Sequence, residues 1–281
     1  MKTKKIYFFI FFLCFLFFSK SGYNQQDYNL EKLLSKEIIS QNKDYLKLKK
    51  HVIKKFSKLR PTQWGMTVKG VKTRLDTNDK VIALTFDACG NSGGFGYDAE
   101  LIDFLIQENI PATLFLNGRW IDANLQVVQQ LINNPLFEIG NHGTEHKPCS
   151  VEGRTAYKIK GTKNVEEVFD EIEINARKIE ILTKKKPKFF RSGTAHYDDV
   201  SVKIANYLGY EVVNFSINGD FGATASKEQV MNNLLKAQNG DIILLHMNHP
   251  QKETAEGVKL AIPQLKQLGY KFVKLSDYPL K

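Results

Sequence analysis

Cysteine is scarce in this chain, with only Cys14, Cys89 and Cys149 among 281 residues. So few thiols exclude a small scaffold built on disulfides, and the fold must rest on a hydrophobic core, which a chain of this length can bury. Long apolar runs are also missing, apart from one at the N-terminus. There is no phosphate cradle. The glycine-rich stretch Gly90-Asn91-Ser92-Gly93-Gly94 lacks both the spacing and the Lys-Ser/Thr ending that such a loop needs. Nothing resembles a nucleic-acid-binding module. Charge is modestly one-sided, with 40 Lys plus Arg against 30 Asp plus Glu. That balance suits an acidic polymer or an envelope surface, or simply solvated lysine faces.

The one apolar run, Ile6 to Phe18, follows Lys2, Lys4 and Lys5 and precedes Ser19-Lys20-Ser21-Gly22. A charged start, a dozen apolar residues and small residues at the end describe a signal peptide over residues 1–21, and so an exported protein. Cleavage there removes Lys2, Lys4, Lys5 and Lys20, which takes the basic count from 40 to 36 and the net charge from +10 to +6.

Residues 22–79 read as a helical extension, with Leu30, Leu33, Leu34 and Ile38, then Leu48, Val52, Ile53 and Phe56, at helical spacing. Trp64 beyond it either packs this extension onto the main domain or lines a substrate groove. From Lys80 to the end the pattern is regular. Apolar runs at 81–86, 112–116, 137–140, 188–190, 211–216, 242–245 and 272–275 alternate with amphipathic helical stretches. That is the pattern of a parallel sheet buried on both faces. Where the runs stop, capable side chains follow: Asp87, Asn117, His142, Arg191, Asn218 with Asp220, and His246. Reactive groups converging from several strand ends point to the C-terminal rim of a distorted seven-stranded (β/α) barrel, spanning residues 80–281.

The centre of that rim is Asn141-His142-Gly143-Thr144-Glu145-His146. Two imidazoles four residues apart can face one small cation, and with one carboxylate they form a nitrogen and oxygen donor set suited to zinc rather than calcium or magnesium. Asp87 is a candidate base or ligand, Arg191 a group that orients it, and His246 a proton donor near neutral pH.

Together these residues resemble the polysaccharide deacetylase family, carbohydrate esterase family four, also called the NodB homology domain. Thr85-Phe86-Asp87 is similar to the family's Thr-Phe-Asp-Asp-Gly. His142-Gly143-Thr144-Glu145-His146 is similar to its His-Ser/Thr-x-x-His with the hydroxyl moved by one. Arg191 begins what stands for Arg-x-Pro-Tyr, and Leu244-Leu245-His246 matches Leu-x-His. The resemblance implies hydrolysis of N-acetyl groups on an amino-sugar polymer, with Asp87 as base, Arg191 positioning it, His246 as acid, and His142 and His146 as metal ligands. Two departures stand out. Ala88-Cys89 replaces the family's second aspartate, which leaves the third ligand open between Asp87, Cys89 and Asp98, with Asp220 a further possibility; a disulfide from Cys89 to Cys149 is the competing fate of that thiol. Ser192-Gly193-Thr194-Ala195-His196-Tyr197 replaces x-Pro-Tyr and makes His196 and Tyr197, with Asp220, expected substrate contacts. The alternatives are another amide hydrolase on the same barrel, allantoinase-like, and an inactive carbohydrate-binding relative.

Overall fold

In the computed structural model the described residues are 25–90 and 94–281. The leader, Cys14 and the glycine-loop residues Asn91, Ser92 and Gly93 lie outside them. Among the described residues no helix is long and apolar enough to cross a membrane.

Eight strands form one parallel sheet: β1 (Val81–Ala88), β2 (Ala112–Leu116), β3 (Phe137–Asn141), β4 (Phe189–Phe190), β5 (Glu211–Val212), β6 (Ile217–Asn218), β7 (Asp241–His246) and β8 (Lys271–Val273). Seven follow the path β6-β7-β1-β2-β3-β4-β5, and β8 pairs beside the start of β1. The sheet is a curled half-barrel whose path ends at β6 and β5, the distorted seven-stranded β/α barrel that the sequence pattern predicts. One expected strand is cut short. The run 211–216 is β5 only over Glu211–Val212, because Val213 leaves the sheet path to bridge Lys72 and the Asn214 N–H donates to the Lys72 carbonyl at 2.7 Å; β6 starts just past the run, at Ile217.

Strand alternation decides which side chains meet inside the curl. On β1, Ile82, Leu84, Phe86 and Ala88 face the surrounding helices, whereas Val81 and Ala83 join Phe115, Phe189 and Ile242 in an inner core. Thr85 and Asp87 share that inner face, further along the strand. On β7, Leu244 and His246 likewise continue the face of Ile242. Gly140 on β3 is required here, since a Cβ at that position would sit 2.7 Å from the Phe115 ring.

The outer layer contains α4 (Ala99–Gln107), α5 (Gly118–Ala123), α6 (Leu125–Ile132), α7 (Val165–Thr183), α8 (Asp199–Tyr207), α9 (Lys227–Leu234) and α10 (Thr254–Gln267). The extension is three helices, α1 (Gln25–Leu34), α2 (Lys36–Gln41) and α3 (Lys43–Phe56), broken where Ser35 and Asn42 cap the next helix. Fully buried Tyr45 of α3 packs edge-on against Phe169 of α7 at 5.0 Å, and Lys49 pairs with Asp170 and Glu166 at 2.9 Å each. The chain then returns along α8. The N–H groups of Thr62 and Gln63 donate to Asp199 at 2.7 and 3.1 Å, and Trp64-Gly65 pairs antiparallel with Tyr197-Asp198. That route carries Trp64 and Met66 to the rim.

Candidate metal centre and active site

At the end of β1, Asp87 is buried and held by Arg191. The guanidinium, wholly buried, donates Nη1 to Asp87 Oδ1 at 2.8 Å and to Thr85 Oγ1 at 2.9 Å, Nε to the Val213 carbonyl at 3.1 Å and Nη2 to the Asn214 carbonyl at 3.0 Å. Its underside lies 4.1 Å from the Phe115 ring centroid. Burial alone would raise the Asp87 carboxyl, but His142, Arg191 and His246 hold it below the usual carboxylate range.

His142, the first residue past β3, turns Nδ1 to the Arg191 carbonyl at 3.0 Å. A carbonyl only accepts, so Nδ1 carries the hydrogen and Nε2 presents a lone pair. Burial depresses the imidazole pKa below its ordinary value against the pull of Asp87, which keeps that lone pair free. Nε2 lies 3.8 Å from Cys89 Sγ and 3.5 Å from Asp87 Oδ2. His146 Nε2 is buried with no hydrogen-bond partner, and one donor atom from each of Cys89, His142 and His146 falls within 4.8 Å of the others. A tetrahedral zinc with bonds of about 2.3 Å to sulfur and about 2.0 Å to nitrogen sets those two donors roughly 3.6 Å apart. The observed 3.8 Å fits. An orphaned imidazole nitrogen, an exposed lone pair and a thiol at that spacing are a donor set for a divalent cation. Asp87 falls outside that trio: its Oδ1 is held by Arg191, and its Oδ2 lies beside His142 alone, at 3.5 Å from Nε2. So does Asp98, whose side chain caps α4 by accepting the Leu101 N–H at 3.0 Å. Of the third-ligand candidates the structure singles out Cys89. Burial would raise its thiol, yet the imidazoles of His146 and His246 bring it down to about 7. Both Cys89 and Cys149 are free thiols, so the disulfide does not form here.

On the neighbouring strand end, His246 Nδ1 meets Asp220 Oδ1 at 2.9 Å, while Asp220 Oδ2 accepts the His246 N–H at 2.7 Å and the Thr254 hydroxyl at 3.1 Å. Burial works against the imidazolium, but the Asp220 carboxylate wins and raises His246 well above its ordinary value. Asp220 is itself fully buried, so it orients His246 and does not reach substrate as expected. Tyr197 also departs from expectation. It is buried, accepts the Ser192 N–H at 2.9 Å and donates to Asn214 at 3.2 Å, and thereby shapes the loop after Arg191. His196 stands at the rim between Trp64 and Tyr157, with ring centroids at 5.8 and 5.2 Å.

Glu171, which sequence reasoning passed over, builds the histidine loop together with Asn117 and Asn141. Glu171, buried in α7, accepts the N–H groups on either side of His146, from Glu145 at 3.1 and 3.0 Å and from Lys147 at 3.0 Å. These bonds hold His146 at φ 61°, a conformation that non-glycine residues seldom adopt. Gly143 is glycine because a Cβ there would strike Glu171 Oε1 at 2.4 Å, and Gly193 because a Cβ would meet His146 at 2.4 Å. Asn117 donates to the carbonyls of His142 and Gly143 at 3.0 and 2.8 Å, and Asn141 accepts the Gly143 N–H at 3.0 Å. The only sequence signal for Glu171 is an acid on the apolar stripe of α7, between Val168 and Ile172.

Asp87, Cys89, His146 and His246 open into one cavity of about 380 Å³, walled in part by Tyr157 and Phe221. The polysaccharide deacetylase family model matches residues 74–213. A peptidoglycan-N-acetylglucosamine deacetylase from Bacillus cereus is 28% identical over 211 residues, which is 74% of this chain and 92% of that protein. A family 4 acetyl xylan esterase from Clostridium thermocellum, solved with a cobalt ion, superposes with a TM-score of 0.56 at 26% identity, covering 70% of this chain and 89% of that one. A family 4 pseudoenzyme from Bacillus anthracis shares the fold, with a TM-score of 0.62 at 22% identity over 83% of this chain and 81% of its own. Fold, motif order and sequence likeness agree, and the chain belongs to the polysaccharide deacetylase family, carbohydrate esterase family 4.

Proposed function

We propose that this chain is an exported, metal-dependent hydrolase that removes N-acetyl groups from an amino-sugar polysaccharide, a peptidoglycan or a chitin-like glycan. The observation that carries the reading is the convergence of three separate devices on one cavity: the Cys89, His142 and His146 donors, the Asp87–Arg191 pair, and the His246–Asp220 pair. The first three residues would hold a divalent cation, with zinc best matched to the sulfur and nitrogen donors; bound there, it would supply a Lewis acid that polarises an acetamide carbonyl and acidifies water.

Asp87 is kept ionised beside that position and takes the proton of the attacking water. Arg191 holds the carboxylate in place and, with four acceptors satisfied, cannot swing away. His246 stays protonated through the neutral range because of Asp220 and delivers its proton to the departing amine. The inactive-relative reading arises from the missing second aspartate. Cys89 supports the active reading, since its thiol lies within 4.8 Å of donor atoms of His142 and His146. Export rests on the N-terminal Lys2, Lys4 and Lys5 and the apolar run after them.

The test is acetate release from N-acetylated chito-oligosaccharides and peptidoglycan by the zinc-loaded protein. His142→Ala and His146→Ala should each abolish both metal uptake and release while leaving the circular dichroism spectrum intact. Full activity in either variant would put the centre elsewhere.

A further inference from the structure

The helical extension carries a basic face that neither the barrel nor the catalytic devices use. In its fourteen residues α3 holds six lysines against one acid, Asp44. Its buried side is Tyr45, Val52 and Phe56. Two of the lysines are engaged near that side: Lys49 pairs with Glu166 and Asp170, and Lys55 lies over the Tyr207 ring of α8 at 5.0 Å. The other four, Lys43, Lys47, Lys50 and Lys54, are exposed and spaced i, i+4, i+7 and i+11, which sets them in one stripe along the helix. Exposed Lys58 continues it just past the helix end. Among the described residues the ion pairs of this segment run through Lys49, so the stripe meets no carboxylate. Like charges three and four residues apart repel along a helix, and an anionic surface relieves that repulsion.

Apolar side chains accompany the lysines. Leu46, 43% exposed, borders the stripe. At the start of α3, Leu33 and Ile38 wall a groove of about 510 Å³ together with Asn42, the cap of the helix; past its end stands exposed Leu59. A water-soluble polyanion offers such leucines no apolar partner. The boundary between lipid headgroups and acyl chains takes leucines and lysine ammonium groups together. The chain ahead of the extension points to the same partner. Only residues 19–24 separate the apolar run Ile6 to Phe18 from α1, so export through a bilayer delivers the extension to its surface.

We propose that the lysine stripe of α3, with the exposed leucines beside it, is a docking surface for an anionic phospholipid bilayer and keeps the exported protein at the membrane face. None of these residues belongs to the cavity, so the surface goes beyond the deacetylase reading and does not depend on the reaction catalysed.

Co-sedimentation with vesicles tests it, using the exported form, residues 22–281, which keeps every described helix and strand. Vesicles of phosphatidylglycerol and phosphatidylcholine in equal parts should bind the protein on the order of a hundredfold more tightly than phosphatidylcholine alone, with the advantage fading as salt rises. Joint Lys43→Gln, Lys47→Gln, Lys50→Gln and Lys54→Gln substitution should remove most of that advantage. Joint Lys80→Gln, Lys185→Gln, Lys227→Gln and Lys271→Gln substitution takes the same charge from exposed positions elsewhere and should change binding less than about threefold. Leu46→Ser should weaken binding about threefold with the charge unchanged. Equal binding to neutral and anionic vesicles, an equal loss in the two lysine variants, or soluble polyphosphate bound as tightly as the anionic vesicles would overturn the docking surface. Acetate release from a soluble chito-oligosaccharide, followed without vesicles, should be the same in every variant. A failure of the deacetylase reading therefore shows there, and a failure of docking shows in the vesicles.

Discussion

Replacing Glu171 with glutamine keeps the size of a buried side chain but removes one of its two equivalent oxygens. In the wild type Oε1 accepts from Glu145 and Lys147 and Oε2 accepts again from Glu145. A glutamine oxygen can replace only one of these positions. Its amide nitrogen then faces a backbone donor, and a charge-assisted bond worth about 2 kcal/mol is lost. The bonds flank His146, so the loss falls on the loop that aims its Nε2, and about 2 kcal/mol converts to roughly thirtyfold weaker zinc binding. Competition with a chromophoric chelator reads that change directly. A second readout comes from the charge itself. Burial pushes the Glu171 carboxyl up to about 7 from 4.5, against the pull of the two N–H groups. Between those values the folded chain binds more protons than the unfolded one, so this group's stability is present at low pH and is lost as pH rises through about 7. In metal-free protein the wild type should lose more stability than Glu171→Gln between about pH 5 and about pH 8 in urea titrations. Unchanged zinc affinity in the variant, with parallel pH profiles, would refute the role assigned to Glu171.

Other perturbations address the remaining devices. Arg191→Lys should destabilise the fold by about 3 kcal/mol or more, because lysine cannot serve four acceptors spread around a plane, and the acidic limb of kcat/KM should move upward as Asp87 loses its partner; urea unfolding and a pH–rate profile check both. Asp220→Asn should pull His246 down toward its ordinary range, so turnover falls earlier as pH rises while zinc content stays whole by elemental analysis. Zinc affinity should fall as pH drops below about 7, where the Cys89 thiol regains its proton, and that slope should flatten in Cys89→Ala.

Most of the architecture was legible because the apolar runs and amphipathic stretches obey simple periods. The run 112–116 is β2 itself. The early end of the strand expected over 211–216 was hidden, since it depends on a backbone bridge to Lys72 more than a hundred residues away. Asp87, His142, His146, Arg191 and His246 were visible as strand-end residues, and the structure gathers them at one place. The finer assignments for Tyr197, Asp220 and Asp98 depended on where polar atoms find partners, which spacing does not encode: a hydroxyl buried under the loop, a carboxylate behind a histidine and a helix cap. Glu171 and Asn117 act through backbone groups, which no motif records. Cys89 was one of several candidates for the third ligand, and what favours it is that its sulfur lies within 4.8 Å of a donor atom from each histidine, a relation that spacing in the sequence does not encode.

The central claim is a sulfur-containing metal site, and X-ray absorption at the zinc edge tests it most directly. The account predicts one sulfur scatterer at about 2.3 Å with nitrogen or oxygen neighbours at about 2.0 Å, and loss of the sulfur shell in Cys89→Ala. A wild-type shell of nitrogen and oxygen alone would contradict it.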